Sequence, residues 1–245
     1  MKLKKTFSSF INETAVLQQY PKPKNKRGLK QWNAWKDMLS KIEYICEQIR
    51  TLDDQIKEEY NYGLHEREYR AEAYEFNVKM YDVPGLGDTD ALADKYFDGS
   101  DTEMDQAFVE FVAQSVGHFI EDLNEKYKID WIKDYYQVGR MGGWLVLELE
   151  PGTWSINEVN YTADMYEEDF NYESEELVEY DDETETFTAD MKEMKKVFKT
   201  FEKNALSYLK DLEKHESELD TIKKLIPKYQ AQMGKDFVAM LKANY

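Results

Sequence analysis

Two amphipathic segments, one near each end of the chain, constrain its fold more than any other feature. In the first, apolar residues recur at spacings of three and four from Trp35 to about Tyr60, with charged residues between them. In the second, the same spacing runs from Met191 to Ile226 and includes His215. Each pattern predicts a long helix with one narrow apolar stripe. We expect the two helices to form an antiparallel coiled-coil-like pair, within one chain or across a homodimer.

Two single residues refine this prediction. Pro227 follows the second pattern, and a proline inside a helix removes a hydrogen bond and clashes with the preceding turn. The helix is therefore predicted to end or kink there, with a shorter helix after it.

Cys46, the one cysteine of the chain, lies in the first stripe, where a thiol is predicted to be buried in the core. A single cysteine provides neither an internal disulfide nor a cysteine zinc site.

The region between the two segments has the mixed pattern of an α+β core. Residues 74–80 alternate between apolar and polar side chains, which is typical of a half-buried strand. Residues 101–127 have apolar side chains at helical spacing, preceded by the capping candidates Ser100 and Asp101. This helix is predicted to pack on an antiparallel sheet.

The sheet is predicted to contain a hairpin. Residues 131–138 and 144–149 fit two strands joined by a glycine-rich turn, and residues 153–161 fit a third strand. Alternation along the second strand places Leu145, Leu147 and Leu149 towards the core, with Trp144 and Val146 on the opposite face.

The predicted fold class is therefore α+β, with a small antiparallel sheet packed on a helix and with long N- and C-terminal helices forming an antiparallel coiled-coil-like pair. In chain order the parts are a basic arm (1–28), a long N-terminal helix (29–62), an α+β core (63–187) that contains an acidic segment (151–190), and C-terminal helices that pack on the N-terminal helix (188–245).

Charge limits the classes of partner. The chain has 50 acidic and 32 basic residues, a net charge of −18, and this excess disfavours nonspecific attachment to nucleic acid or to an anionic membrane. No apolar run is long enough to span a membrane. The N-terminus has the basic head of a signal peptide, but polar residues interrupt the apolar region that should follow. We therefore expect a cytoplasmic protein.

The acidic segment is the strongest candidate for a binding surface. It has no Lys or Arg, and its acids alternate with aromatic residues, which disordered chains rarely contain. Closely spaced carboxylates on a folded scaffold present negative charge as a phosphate backbone does, and would attract a basic groove. A solubilising face with inward aromatics is the alternative. The candidate partner-binding residues are Glu167, Glu168, Asp169, Glu173, Glu175, Glu176, Asp181 and Asp182.

Two other charged regions support different functions. The basic arm, with PKPKNKR at residues 21–27, could bind phosphate groups, or it could dock on the acidic surface of its own chain. Carboxylates between residues 82 and 105 could bind a hard cation, although the order of an EF-hand loop is absent and helix caps explain such acids equally well. The sequence DVPGLGD (82–88) is similar to the DxxG loop of GTPases, but no phosphate-binding P-loop accompanies it.

Catalysis has little support in the sequence. The three histidines lie in different predicted elements, no nucleophile elbow is present, and the one cysteine lies in a helix stripe. No catalytic residue, cofactor or metal ligand can be nominated from these patterns.

The predicted hairpin contains the stretch YQVGRMGGWLVL (136–147), in which an arginine precedes a double glycine and a tryptophan. This stretch resembles a GRSGGWL-type hairpin of uncharacterised proteins encoded by bacteriophages and prophages, with Met141 in place of the expected serine. The resemblance covers about twenty residues and implies a phage origin without implying any chemistry. The candidate contact residues here are Tyr136, Arg140, Gly142, Gly143 and Trp144.

These patterns together predict a non-enzymatic phage-type binding protein. It would inhibit a host nucleic-acid-targeting defence complex in the bacterial cytoplasm by presenting an acidic, nucleic-acid-mimicking surface to a basic host protein. Two alternatives remain open at this point. One is a nucleic-acid-binding protein that uses the basic arm and Arg140, and the other is a metal-dependent enzyme at the acidic cluster 82–105.

Overall fold

In the part of the chain that the structure describes, a long helix lies near each end, with a three-stranded sheet, a two-stranded hairpin and shorter helices between them. The structure is a computed structural model, and it describes residues 20–64, 74–138, 143–149 and 158–244. Its helices are α1 (Lys26–Leu64), α2 (Thr89–Tyr96), α3 (Asp101–Tyr127), α4 (Glu158–Glu175) and α5 (Met191–Asn244). Its strands are β1 (Glu75–Asn77), β2 (Ile132–Val138), β3 (Trp144–Leu149), β4 (Val178–Asp181) and β5 (Thr186–Ala189). The predicted α+β class is confirmed.

Contacts divide the chain into two compact units. The first consists of Met1–Gln55 and Trp154–Lys214, and the second of Ile56–Thr153 and His215–Tyr245. Helices α1 and α5 therefore contribute to both units, and α4 with the β4–β5 hairpin belongs to the first.

The core of the first unit is built around the apolar stripe of α1. Trp35, Cys46 and Ile49 are completely buried, which a contact with one neighbouring helix would not achieve. The β4–β5 hairpin and α4 supply the remaining cover, because the Trp35 ring stacks 6.0 Å from that of Phe187 and its indole bonds to Ser174. The predicted two-helix seam is thus part of a larger core to which the acidic segment contributes.

Helices α1 and α5 contact each other in this unit through Lys41. Its ammonium group pairs with Glu202 and lies 5.4 Å from the centre of the Phe198 ring. Phe198 and Phe201 of α5 are each 5.9 Å from the ring of Phe170 in α4, so α4 packs on α5 as well.

The second unit contains an antiparallel sheet in the order β1–β3–β2. Strand β3 is central, and both of its faces are covered, since the consecutive residues Leu145, Val146 and Leu147 are exposed by only 2%, 2% and 1%. The prediction that Val146 lies on a face away from the core is wrong, since alternation in a central strand does not separate core from solvent when both faces are covered.

The third strand is also not where the sequence placed it. Residues 75–77 pair with β3, whereas the predicted strand 153–161 ends in helix, because α4 begins at Glu158. Residues 153–157 lie outside the described part of the chain. Glu75 of β1 is 8% exposed, so the predicted half-buried strand 74–80 is short and covered on both faces.

Helix α3 has the predicted limits and packs on the sheet, with Phe119 5.2 Å from Phe76. The Ser100 hydroxyl caps its first turn by accepting a hydrogen bond from the Glu103 backbone N–H. Nearer its start, the same buried stripe of α3 meets the end of α5, where the rings of Phe108 and Phe237 are 5.0 Å apart.

Pro227 neither ends the last helix nor separates a shorter one from it. Helix α5 continues from Met191 to Asn244 with Pro227 on its exposed side. Ile222, Ile226 and Met233 are buried on both sides of the proline. A proline costs about 3 kcal/mol in a helix interior, and burial of this stripe offsets that cost.

Candidate partner-binding face

Helix α4 has one covered and one exposed face. The covered face includes Ala163, Phe170 and Ser174, each completely buried. The exposed face, called the acidic face below, combines carboxylates with two large apolar side chains, since Met165 is 41% and Tyr172 is 66% exposed. Its members follow helical spacing and are Met165, Glu168, Asp169, Tyr172, Glu173 and, directly after the last residue of α4, Glu176.

The orientation of α4 is fixed by a buried hydrogen bond. The indole Nε1 of Trp35 donates to the Ser174 Oγ at 2.9 Å, and this hydroxyl in turn donates to the Asn171 carbonyl at 3.0 Å. A small polar residue in the covered stripe is therefore required by Trp35 of α1. This contact directs the opposite stripe of α4 to the solvent.

Arg50 of α1 neutralises two carboxylates at the edge of α4. Its guanidinium contacts Asp164 at 2.6 Å and Glu167 at 2.7 Å. Glu167, a predicted partner-binding residue, is thus already paired within the chain. Within the described residues, Glu168, Asp169 and Glu173 form no ion pair and remain exposed.

The β4–β5 hairpin continues the negative charge beyond α4. Asp181 organises the turn, because its carboxylate accepts hydrogen bonds from the backbone N–H groups of Glu183 and Thr184 at 2.9 and 3.2 Å. Hydrogen bonds from Thr184, and after them from Glu183, hold the pKa of Asp181 below its usual range. Asp182 is exposed beside it, while Glu175 is half-buried at the end of α4. The predicted acidic residues of α4 and the hairpin therefore share one unit.

The described end of the basic arm, from Tyr20, lies against this hairpin. The Tyr20 ring is 5.4 Å from Trp35 and 6.4 Å from Tyr180, in an edge-on arrangement with each. Pro23 is buried and Lys24 pairs with Glu185. The hydrogen bond to Glu185 raises the pKa of Lys24. Residues 26–28 of the predicted arm belong to α1, whose start is capped by the Asn25 side chain accepting from the Gly28 N–H at 2.7 Å.

A cavity of about 320 Å³ lies where the start of α1 meets the hairpin. Gln31 donates from Nε2 to the Ala189 carbonyl at 3.1 Å, while its buried Oε1 has no hydrogen-bond partner among the residues that the structure describes. The cavity is lined by Arg27, Gln31, Glu176, Leu177, Glu179, Thr188, Ala189 and Asp190. Glu176 of the acidic face is therefore also a wall of this cavity.

The predicted hairpin contacts are in the other unit, and the structure describes only part of them. Arg140 and Gly142 lie outside the described residues, and of Tyr136 only the backbone, in β2, is described. Gly143 accepts a hydrogen bond from the Val78 N–H at 3.2 Å, and the ring of half-buried Trp144 lies 4.9 Å from the ammonium group of Lys79. These contacts attach the hairpin to β1 and the residues after it.

The acids between 82 and 105 form no metal centre in the part of the chain that the structure describes. Asp88 caps α2, accepting from the Ala91 N–H at 3.2 Å. The similarity of DVPGLGD to a phosphate-sensing loop has a structural explanation as well. Gly85 has a φ of 95°, which suits glycine, and the Pro84 carbonyl lies against Gly234 of α5.

Cys46 is in the core as predicted. Burial, more than the neighbouring carboxylates, raises the pKa of its thiol to about 12, so no thiolate nucleophile forms there near neutral pH.

Comparison of the chain with known protein families, characterised proteins and solved structures finds no match. Among the helices of the described residues, none has an apolar stretch long enough to cross a membrane.

The acidic face is only partly visible in the sequence. Sequence patterns identified its carboxylates but missed the Arg50 clamp and the exposure of Met165, although Met165 and Tyr172 are seven residues apart and so share one side of a helix.

Proposed function

We propose that this chain is a non-enzymatic binding protein that presents its acidic face to a basic protein partner. The observation that carries the proposal is the exposed stripe of α4, in which Met165 and Tyr172 stand beside Glu168, Asp169 and Glu173, three carboxylates that form no ion pair within the described residues. Aromatic residues and methionine are enriched in protein interfaces, where a polar rim surrounds the core and a few large side chains contribute most of the binding energy.

The spacing of the carboxylates suits a partner that binds nucleic acid. Four carboxylates lie within eight residue steps along the chain, at Glu168, Asp169, Glu173 and Glu176. At about 1.5 Å per residue this is roughly one charge for every 3 to 4 Å of helix axis. A nucleic-acid strand carries one phosphate for about every 3.4 Å of duplex axis. A groove that matches phosphates at this interval would also attract the acidic face, with fast and salt-sensitive association.

The partner we propose is a host protein that handles nucleic acid, and the proposed role is inhibition of a defence complex in the bacterial cytoplasm. Two sequence features support this role: the segregation of charge along the chain, and the resemblance of residues 136–147 to a phage-encoded hairpin. Direct binding of nucleic acid by the basic arm is less favoured, because Lys24 is paired with Glu185 of the same chain.

The proposal is tested by photo-crosslinking in a bacterial lysate. A photoreactive phenylalanine analogue replaces Tyr172 in one variant, and half-buried Tyr208 of α5 in another. We expect the Tyr172 position to crosslink a basic protein at low salt and much less at high salt, because exposed charges are screened. The Tyr208 position should give no such product.

Two charge variants distinguish binding by the acidic face from attraction by net charge alone. One is Glu168→Gln with Asp169→Asn and Glu173→Gln, and the other is Asp211→Asn with Glu213→Gln and Glu125→Gln. Each removes three exposed carboxylates, and only the first set lies on the acidic face. Loss of the crosslink in the first variant alone supports the proposal. Equal loss in both variants, or recovery of DNA or RNA in place of a protein, contradicts it.

A further inference from the structure

Residues 20–24 lie against Trp35 and the β4–β5 hairpin as a peptide ligand would. Tyr20 packs edge-on against Trp35 and Tyr180, and Pro23 is buried. Lys24 reaches Glu185 in the turn between β4 and β5. Residues 20–24 thus combine a packed aromatic ring, a buried proline and a paired ammonium group within five consecutive positions.

The seated segment is extended and basic. Residues 21–23 belong to no helix or strand, and Pro21 and Pro23 restrict their backbone to extended conformations. Lys22 and Lys24 are exposed, and Glu175 lies close enough to Tyr20 to help raise the pKa of its phenol after burial does so. The hairpin therefore holds an extended lysine-containing segment by aromatic packing and by charge.

We propose that Trp35, Tyr180 and Glu185 form a docking site for an extended, basic segment of the protein partner that carries an aromatic residue four positions before a lysine or arginine. The chain's own residues 20–24 occupy this site until the partner segment displaces them. The inference rests on the proposed function, because it names the kind of peptide by which the basic partner would be recognised.

A free peptide must compete for the site with residues 20–24 of the same chain. A tethered segment has an effective concentration in the millimolar range, so it excludes a free segment of the same sequence until that one reaches a similar concentration. Removal of the contacts made by Tyr20 and Lys24 should release the site. Because Lys24 is exposed and Tyr20 only half-buried, these side chains can be replaced without opening the core of the unit.

The test uses the full chain and a fluorescein-labelled peptide with the sequence YPKPKNK of residues 20–26. Fluorescence anisotropy at low salt measures its binding to the wild type and to a Tyr20→Ala, Lys24→Ser variant, with circular dichroism as the check on folding. We expect the variant to bind the peptide at least ten-fold more tightly than the wild type. A peptide in which norleucine replaces the lysines should bind the variant at least ten-fold more weakly.

A structural readout locates the bound peptide. The Trp35 indole N–H gives its own NMR resonance, which should move when Tyr20 is replaced and return towards the wild-type position as peptide is added. In the released variant, Glu185→Gln should weaken binding several-fold, whereas Glu125→Gln on α3 should not. The single variant Lys24→Ser keeps the Tyr20 packing intact. It should also bind the peptide more tightly than the wild type does, and should bind the norleucine peptide more weakly than the lysine peptide.

Equal binding by wild type and released variant, or no binding by a folded released variant, would overturn the inference. If the Tyr172 crosslink is still observed in that case, the partner binds through the acidic face alone. Peptide binding without any crosslink would support the docking site and contradict the wider role of the acidic face. The two proposals therefore fail independently.

Discussion

The Trp35 indole of α1 donates a hydrogen bond to the Ser174 hydroxyl of α4, and both side chains are completely inaccessible to solvent. Ser174 lies on the same helix as the acidic face but on its opposite side. The contact therefore links the core of the first unit to the direction in which Met165 and Tyr172 point.

Ser174→Ala should destabilise the protein. It leaves the buried indole N–H without an acceptor, which costs about 1 to 3 kcal/mol of the free energy of unfolding. Urea denaturation measures the change, and Ser217→Ala on the exposed side of α5 is the control, expected to stay within about 0.5 kcal/mol. In a Trp35→Phe background the same substitution should cost clearly less. An equal cost in both backgrounds would show that the hydrogen bond is not the cause.

Gly234 and Gly117 give a matched pair for the second unit, since both lie inside helices. A Cβ at Gly234 would lie 2.4 Å from the Pro84 carbonyl oxygen, whereas one at Gly117 would meet nothing within 4 Å. Gly117→Ala should therefore stabilise the protein by about 0.5 to 1 kcal/mol, the ordinary helix preference for alanine. Gly234→Ala should instead destabilise it by about 1 to 3 kcal/mol, because the turn must move.

Chemical denaturation of both variants checks this prediction. Stabilisation by Gly234→Ala would mean that the turn at residues 83–88 is not held against α5. In that case the DVPGLGD stretch would again need an explanation other than close packing.

Sequence patterns predicted those parts of the fold that depend on periodicity alone. The long helices and the limits of α3 follow from apolar spacing, and Ser100 was recognisable as a cap. Position within a sheet and cover on its second face are not encoded locally, so neither the central place of β3 nor the burial of Val146 could be read from alternation. The sequence around Pro227 predicted a break in the last helix. It did not show that packing on both sides of the proline would keep the helix continuous.

The candidate site was predictable in composition but not in arrangement. The density of carboxylates from Glu167 to Asp182 is visible in the sequence. Which of them is free depends on Arg50, which lies more than a hundred residues earlier in the chain and pairs with Glu167. Long-range ion pairs of this kind leave no periodic signal, so the sequence could not separate paired from unpaired acids.

The hydrogen bond from the Tyr229 hydroxyl to the Asp122 carboxylate joins α5 to α3 and should make stability depend on pH. Hydrogen bonds from Lys126, and after it from Tyr229, lower the pKa of Asp122. Burial, followed by the bond to Asp122, raises the pKa of Tyr229 to about 12. The contribution of the pair is therefore present above the ordinary aspartate pKa near 4 and below the ordinary tyrosine pKa near 10.

Tyr229→Phe should lower the free energy of unfolding by about 1 kcal/mol between roughly pH 5 and 9. The difference from the wild type should shrink as the pH falls below about 4, because Asp122 becomes protonated, and as it rises above about 10, where the unfolded chain gains from ionising its tyrosine. Urea denaturation across this range measures the profile. Tyr127→Phe, whose phenol ring is exposed at the end of α3, is the control for loss of a hydroxyl. A difference independent of pH would show that Tyr229 stabilises the contact by packing rather than through the carboxylate.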